Sequence, residues 1–302
     1  MKIIAQTFHS TVYDCGSHVE KVFCGELPEV NAIAEFIACS TINAIISRTA
    51  FNPNLVHYTP VIRNVGPVLK CKKYKYTIDT YPSPTLADIQ RFSLQIGFAI
   101  AWLHKHGILH RDIKPENIFV DERGDFYLGD FGSVKCCASV TEDRTTLPYR
   151  APELFDNPIG YTTETDVWAF GMVIFFMQHR LILSHRVLQD IRSSTDFIIY
   201  AEQVFGSYVK NKYIALNPND RATPADRFAV TLQDVKPAKF HTYESFIAQL
   251  SPHNTNIKAI EFVATLYFAS LSDIQQAYMA LGDLSKLNLT LMFPYLSMLD
   301  TN

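Results

Sequence analysis

The sequence has no apolar run long enough to cross a bilayer. The longest, Val167 to Met177, falls well short of the roughly 20 residues that a spanning helix needs. No charge of one sign dominates: 27 Lys and Arg stand against 30 Asp and Glu, a net charge of -3. That balance gives no electrostatic case for nucleic acid or for an anionic membrane surface. Lys70-Cys71-Lys72-Lys73-Tyr74-Lys75 is the densest basic patch and reads as a solvated or hinge-flanking strand. The six cysteines (Cys15, Cys24, Cys39, Cys71, Cys136, Cys137) show no paired metal-ligand spacing. A chain of 302 residues does not need disulfide staples, so reduced thiols in a cytoplasmic or nuclear setting are the expectation. Met1 to Ala5 carries too short an apolar run for a signal peptide, which agrees with a soluble, intracellular protein. Glycine is scarce at 12 residues, and the first is Gly16. No internal repeat or low-complexity segment occurs. What is present is 48% hydrophobic residues, enough to bury one or two sizeable cores.

Chemistry concentrates in Ile108-Leu109-His110-Arg111-Asp112-Ile113-Lys114-Pro115-Glu116-Asn117-Ile118-Phe119-Val120. A carboxylate, an ammonium and a carboxamide (Asp112, Lys114, Asn117) fall within six residues, between apolar stretches that read as short buried strands. Such groups can accept a hydroxyl proton, neutralise a phosphoryl oxygen and hold a divalent metal. A second carboxylate flanked by apolar residues, Asp130, follows in Leu128-Gly129-Asp130-Phe131-Gly132.

His110-Arg111-Asp112 through Asn117, Asp130-Phe131-Gly132 and Ala151-Pro152-Glu153 together resemble the signature set of eukaryotic-type serine/threonine protein kinases. The resemblance implies that Asp112 accepts the proton of the substrate hydroxyl, Lys114 stabilises the γ-phosphoryl charge, and Asn117 and Asp130 hold magnesium. His110 is expected to be structural, beside Phe131. Tyr149-Arg150-Ala151-Pro152-Glu153 is similar to the cyclin-dependent and glycogen-synthase-kinase branch. Thr146 then matches the threonine that bonds Asp112 and Lys114. Arg111 suggests a phosphate receptor, with Thr141 the candidate phosphorylated residue.

The front end departs from the family's pattern. The segment matching the glycine-rich phosphate loop, Gln6-Thr7-Phe8-His9-Ser10-Thr11-Val12-Tyr13, contains no glycine. Val19 to Phe23 looks like the strand that carries the ATP-anchoring lysine, Lys21. Its ion-pair partner is expected on a helix opened by Pro28, where Asn31-Ala32-Ile33-Ala34-Glu35 resembles the helix signature of cyclin-dependent kinases. Counting back from Asn52-Pro53-Asn54 places Asn43 at the glutamate position instead. Either Glu35 is the partner and the helix is about two turns longer, or the pair is missing. Val68 to Tyr74 reads as the strand leading to the adenine hinge, with Cys71 guarding the pocket and backbone groups near Tyr74 bonding adenine.

Further on, Thr85-x-x-Asp88 predicts a helix start, with apolar spacing at Leu86, Ile89, Phe92, Ile96, Ala99, Ile100 and Leu103 and an end at Gly107. His104 and His106 fall in its last turn, where a cation suits the helix dipole. Asp166 to Gly171 resembles the start of the family's central buried helix, whose aspartate bonds the catalytic-loop backbone. Arg221 matches the arginine that pairs with Glu153. Helices with one turn at Gly206 are expected between Arg180 and Leu216.

The resemblance therefore implies an α+β, two-lobed protein-kinase fold with a small β-rich N-lobe (1–74), a large helical C-lobe (75–228) and a helical C-terminal extension (229–302). It implies ATP and Mg2+, a protein substrate, and a possible regulatory partner, cyclin-like or other, through the N-lobe helix or the extension. No nucleic-acid or membrane partner is expected. The competing expectation is a pseudokinase that scaffolds partners with weak or no catalysis. The missing loop glycines favour it, and retention of Lys21, Asp112, Lys114, Asn117 and Asp130 opposes it.

Overall fold

The computed structural model describes residues 1–24, 28–49, 52–63, 66–136, 145–205 and 214–221. The extension expected over 229–302, the turn at Gly206, Cys137 and Thr141 lie outside these described residues. The described residues form two compact units, one built from Met1–Asn52 and Val56–Lys73, the other from Pro53–Leu55 and the described residues between Tyr74 and Arg221. Together they give a β-rich lobe and a helical lobe, the two-lobed α+β architecture.

The first unit is a five-stranded antiparallel sheet with one helix. Its strands are β1 (Lys2–Gln6), β2 (Ser10–Asp14), β3 (His18–Phe23), β4 (Tyr58–Arg63) and β5 (Gly66–Lys72), in the order β1-β2-β3-β5-β4. The β2–β3 register sets Val12 opposite Lys21, and β3–β5 sets Lys21 opposite Leu69. Helix α1 (Pro28–Thr49) runs 22 residues, which accounts for the spacing conflict in the sequence. Glu35 and Asn43, eight residues or about two turns apart, both belong to it. Phe36, Ile37 and Ile42 of α1 are buried with Val68 and Leu69 of β5, and this core fixes the helix beside the strands. Each such side chain taken from water contributes about 1.5–3 kcal/mol.

In the second unit β6 (Tyr76–Thr77), β8 (Ile118–Val120) and β9 (Phe126–Leu128) form a small antiparallel sheet. β7 (Ile108–Leu109) pairs with β10 (Lys135–Cys136). Helix α2 (Leu86–Lys105) begins with a complete capping box: Asp88 N donates to Thr85 Oγ1 at 3.2 Å, and Thr85 N donates to Asp88 Oδ2 at 2.9 Å. The short α3 (Glu153–Asp156) precedes α4 (Thr163–His179), α5 (His185–Leu188) and α6 (Ser194–Phe205). Residues Val167 to Phe175 of α4 are all buried, as its unbroken apolar run requires. Phe92 of α2 stacks on Phe170 of α4 at 5.6 Å, which locks together the two helices on either side of the catalytic loop in sequence.

Two expectations for α2 are corrected. Leu86 keeps helical spacing but is 69% exposed, because it occupies the first residue of the helix, ahead of the buried stripe that starts at Phe92. His106 is buried rather than a solvated cation, with Nδ1 2.7 Å from Trp102 O, and burial pushes its pKa down. It therefore caps the helix as a neutral ring. Among the described residues, no helix is long and apolar enough to cross a membrane.

Candidate active site

The loop between β7 and β8 is held from behind by one buried carboxylate. Asp166, in the first turn of α4, accepts His110 N at 2.8 Å and Arg111 N at 2.8 Å, while His104 Nε2 lies 2.8 Å from its Oδ2. Burial raises the Asp166 carboxyl, but the His104 hydrogen bond and charge outweigh this and hold it below the ordinary carboxylate range. Arg111 has φ 69°, a left-handed conformation that a bulky residue takes only when its surroundings impose it. The Asp166 bonds to two successive amides do so here.

In front of that anchor, four side chains converge. Thr146 Oγ1 donates to Asp112 Oδ1 at 2.7 Å. Lys114 Nζ donates to Asp112 Oδ2 at 2.7 Å and to Thr146 Oγ1 at 3.1 Å. Asn117 Nδ2 donates to Asp112 Oδ2 at 3.0 Å and to Asp112 O at 2.8 Å. The side-chain hydrogen bonds of buried Asn117 leave from Nδ2, and none reaches its Oδ1 among the described residues.

Asp130 is tied to this cluster through the backbone. Gly129 N donates to Asn117 O at 2.9 Å, continuing the β8–β9 register that pairs Ile118 with Leu128. His110 Nε2 donates to Gly129 O at 3.0 Å, which fixes the proton on that nitrogen, and burial holds the ring neutral. Its ring meets Phe131 edge-on at 5.9 Å. Asp130 itself is left-handed, φ 57°, with its Oδ1 accepting Gly132 N at 3.4 Å.

In the first unit Lys21 Nζ donates to both oxygens of Glu35, at 2.9 and 2.8 Å. Asn43 lies elsewhere and donates to Tyr58 O at 2.8 Å. The glycine-free loop is closed on itself: Thr7 Oγ1 accepts His9 N at 3.3 Å and Ser10 N at 3.0 Å. No residue of it has positive φ, so the turn needs no glycine. Two successive amides of this loop, those of His9 and Ser10, are thereby engaged by a neighbouring hydroxyl. Cys71 is half-buried in β5, and desolvation pushes its thiol up to about 12. Tyr74 packs on Phe119 and Tyr127, each at 5.3 Å, within the second unit.

Three features were not legible in motifs. The His104–Asp166 bond spans 62 residues. The Thr7 staple uses a residue type that the loop pattern ignores. Tyr161 stacks under the Arg111 guanidinium at 4.4 Å while its hydroxyl accepts Thr145 N at 3.1 Å, holding the residue next to Thr146. An aromatic residue next to a turn glycine (Gly160) was the only signal available for it.

A family model described as a protein kinase domain matches residues 62–248, more than half of the chain and past the point near residue 228 where the motifs give out. Cyclin-dependent kinase-like 2 of Rattus norvegicus is 35% identical over 131 residues, covering 38% of this chain and 26% of that protein. Cyclin-dependent kinase F-4 of Oryza sativa subsp. japonica is 32% identical over 149 residues, covering 46% and 32% respectively. CTD kinase subunit alpha of Schizosaccharomyces pombe is 31% identical over 180 residues, covering 54% and 29%. The chain thus spans about a quarter to a third of the length of these curated relatives.

Proposed function

Because the chain belongs to the protein kinase family, we propose that it transfers the γ-phosphoryl group of ATP to serine or threonine hydroxyls of protein substrates. The observation that carries this reading is the convergence of Lys114, Asn117 and Thr146 on the Asp112 carboxylate. Phosphoryl transfer is mostly alignment plus charge neutralisation, so a base held from three sides is what the reaction needs. Oδ2 already receives two donors, whereas Oδ1 receives only Thr146 Oγ1. The substrate hydroxyl therefore gives its proton to Asp112 Oδ1. An ammonium has three donors. Lys114 spends two on Asp112 and Thr146, which leaves the third for the transferring phosphoryl oxygens.

The Oδ1 of Asn117, not used by the bonds to Asp112, and the carboxylate of Asp130 are hard oxygen donors, the chemistry that suits Mg2+. They fit the ion, which when bound with ATP supplies neutralisation of phosphate charge. Lys21, oriented by Glu35, would hold the α- and β-phosphates. Cys71 and the backbone near Tyr74 would line the adenine site. Lys114 and Thr146 together support serine/threonine specificity. A regulatory protein, cyclin-like or other, remains part of the proposal through α1, and an intracellular location, cytoplasmic or nuclear, agrees with the free thiols.

Lys21→Met and Glu35→Gln should each weaken Mg2+-ATP binding by about tenfold to a hundredfold. Each removes a charge-assisted hydrogen bond worth about 1.5–3 kcal/mol. Calorimetric titration with Mg2+-ATP checks this, and wild-type affinity in both variants would remove Lys21 from the phosphate site.

The Thr7 staple specifically favours a second reading, a pseudokinase that binds partners without transfer. Incubation with Mg2+, γ-labelled ATP and a generic basic protein separates the two. Label incorporated by the wild type but not by Asp130→Asn supports the kinase. No label from either, with no Mg2+-ATP shift in melting temperature, supports the scaffold.

A further inference from the structure

The β2–β3 hairpin of the first unit gathers three side chains that play no part in the chemistry above. Cys15, His18 and Glu20 bring one thiol sulfur, one ring nitrogen and one carboxylate oxygen within 4.8 Å of one another. Cys15 and His18 are half-buried, and Glu20 is 2% exposed. The turn between them is preformed. Cys15 N donates to His18 O at 3.0 Å, Gly16 takes φ 84°, and Asp14 Oδ1 accepts Gly16 N at 2.8 Å. Lys73 in turn bonds Asp14 Oδ2 at 2.7 Å, holding the residue before Cys15.

We propose that this hairpin binds a borderline-soft divalent cation, Zn2+, through Cys15 Sγ, His18 Nε2 and Glu20 Oε1. Sulfur, imidazole nitrogen and carboxylate oxygen are the donors Zn2+ selects, and two ligands separated by two residues on a tight turn follow its usual spacing. His18 Nε2 lies 2.8 Å from Glu20 Oε1, so a single proton now sits where the cation would go. The other ring nitrogen, Nδ1, lies 3.1 Å from the Ser17 hydroxyl, the outer hydrogen bond that orients a metal-ligating histidine. Neighbouring ligands of a tetrahedral zinc are roughly 3.3–3.6 Å apart, so closure asks only for side-chain rotations of about an ångström. Three protein ligands leave the fourth position to water. On binding, the thiol proton passes to solvent and His18 vacates Nε2, keeping one ring proton on Nδ1 directed at the Ser17 hydroxyl. Glu20 immediately precedes Lys21 on β3, so the ion would tie the hairpin turn to the strand that carries the phosphate-anchoring lysine.

The test uses the full chain, dialysed against Zn2+ in excess Mg2+ so that hard oxygen sites are filled, with Co2+ as the spectroscopic probe. The wild type should retain about one equivalent of Zn2+ and show a thiolate-to-cobalt charge-transfer band. Losing an outer partner already costs about 10–100-fold in metal affinity, so Cys15→Ser and His18→Ala should each weaken Zn2+ by at least that. Cys15→Ser should also lose the band. Both variants are compared at matched metal-free melting temperature, which separates ligand loss from misfolding. Wild-type affinity in either variant, or a cobalt spectrum without the thiolate band, overturns the site.

Discussion

Asp112→Asn should lower phosphoryl transfer by about 10²–10⁴-fold, the range a positioned general base supplies, while Mg2+-ATP binding stays within about threefold of wild type. The substitution removes the proton acceptor and also presents an NH2 group to donors already in place. Lys114 Nζ and Asn117 Nδ2 both point at Oδ2, and Thr146 Oγ1 points at Oδ1. With its oxygen at the Oδ2 position the amide still accepts from Lys114 and Asn117, and its NH2 then meets the Thr146 hydroxyl, which must turn from donor to acceptor. The packing of the site is therefore kept while the proton acceptor is lost. Single-turnover transfer measured beside nucleotide affinity separates the two effects. A rate within about tenfold of wild type would mean that Asp112 is not the base.

Arg221→Ala should destabilise the second unit rather than slow its chemistry. The guanidinium forms a two-pronged pair with Glu153, Nη1 to Oε1 at 2.6 Å and Nη2 to Oε2 at 2.8 Å. It also donates to the carbonyls of Ala215, Glu164 and Leu216 and lies 5.1 Å over the Trp168 ring. Its side chain is fully buried, against 24% exposure for Glu153. Removing it strands a partly buried carboxylate and three carbonyls, at a cost of about 3–5 kcal/mol. For a unit of this size that corresponds to a fall of roughly 6–20 °C in Tm. Calorimetry at several scan rates reads it. A wild-type Tm accompanied by reduced transfer would contradict the structural role.

Much of the second unit could be read from sequence because its reacting groups are local. Asp112, Lys114 and Asn117 lie within six residues, and the β8–β9 pairing that brings Asp130 to them spans a short hairpin. Thr146 is 34 residues from Asp112 and was placed by resemblance alone. The reading weakened wherever a contact crossed elements without a motif. His104 was legible as a residue suited to the helix end, but its partner Asp166 lies on another helix, 62 residues away. Leu86 kept apolar spacing, yet periodicity does not say where along a helix the core begins. In the first unit, the choice between Glu35 and Asn43 turned on the length of α1, which no cap residue marked. The Cys15, His18 and Glu20 cluster escaped a search for cysteine pairs because it mixes three residue types.

Arg111 and Asp130, two of the four non-glycine residues with positive φ among the described residues, carry a further consequence. Each holds about 1–3 kcal/mol of backbone strain, against a net stability of roughly 5–15 kcal/mol for a whole domain. Glycine at either position would relax the chain, and selection for heat resistance alone would favour it. The Arg111 guanidinium that lies over the Tyr161 ring and the Asp130 carboxylate proposed to hold metal would go with the strain. Durability and competence are therefore opposed at these two backbone positions, and a hardier relative is to be sought in substitutions elsewhere in the second unit.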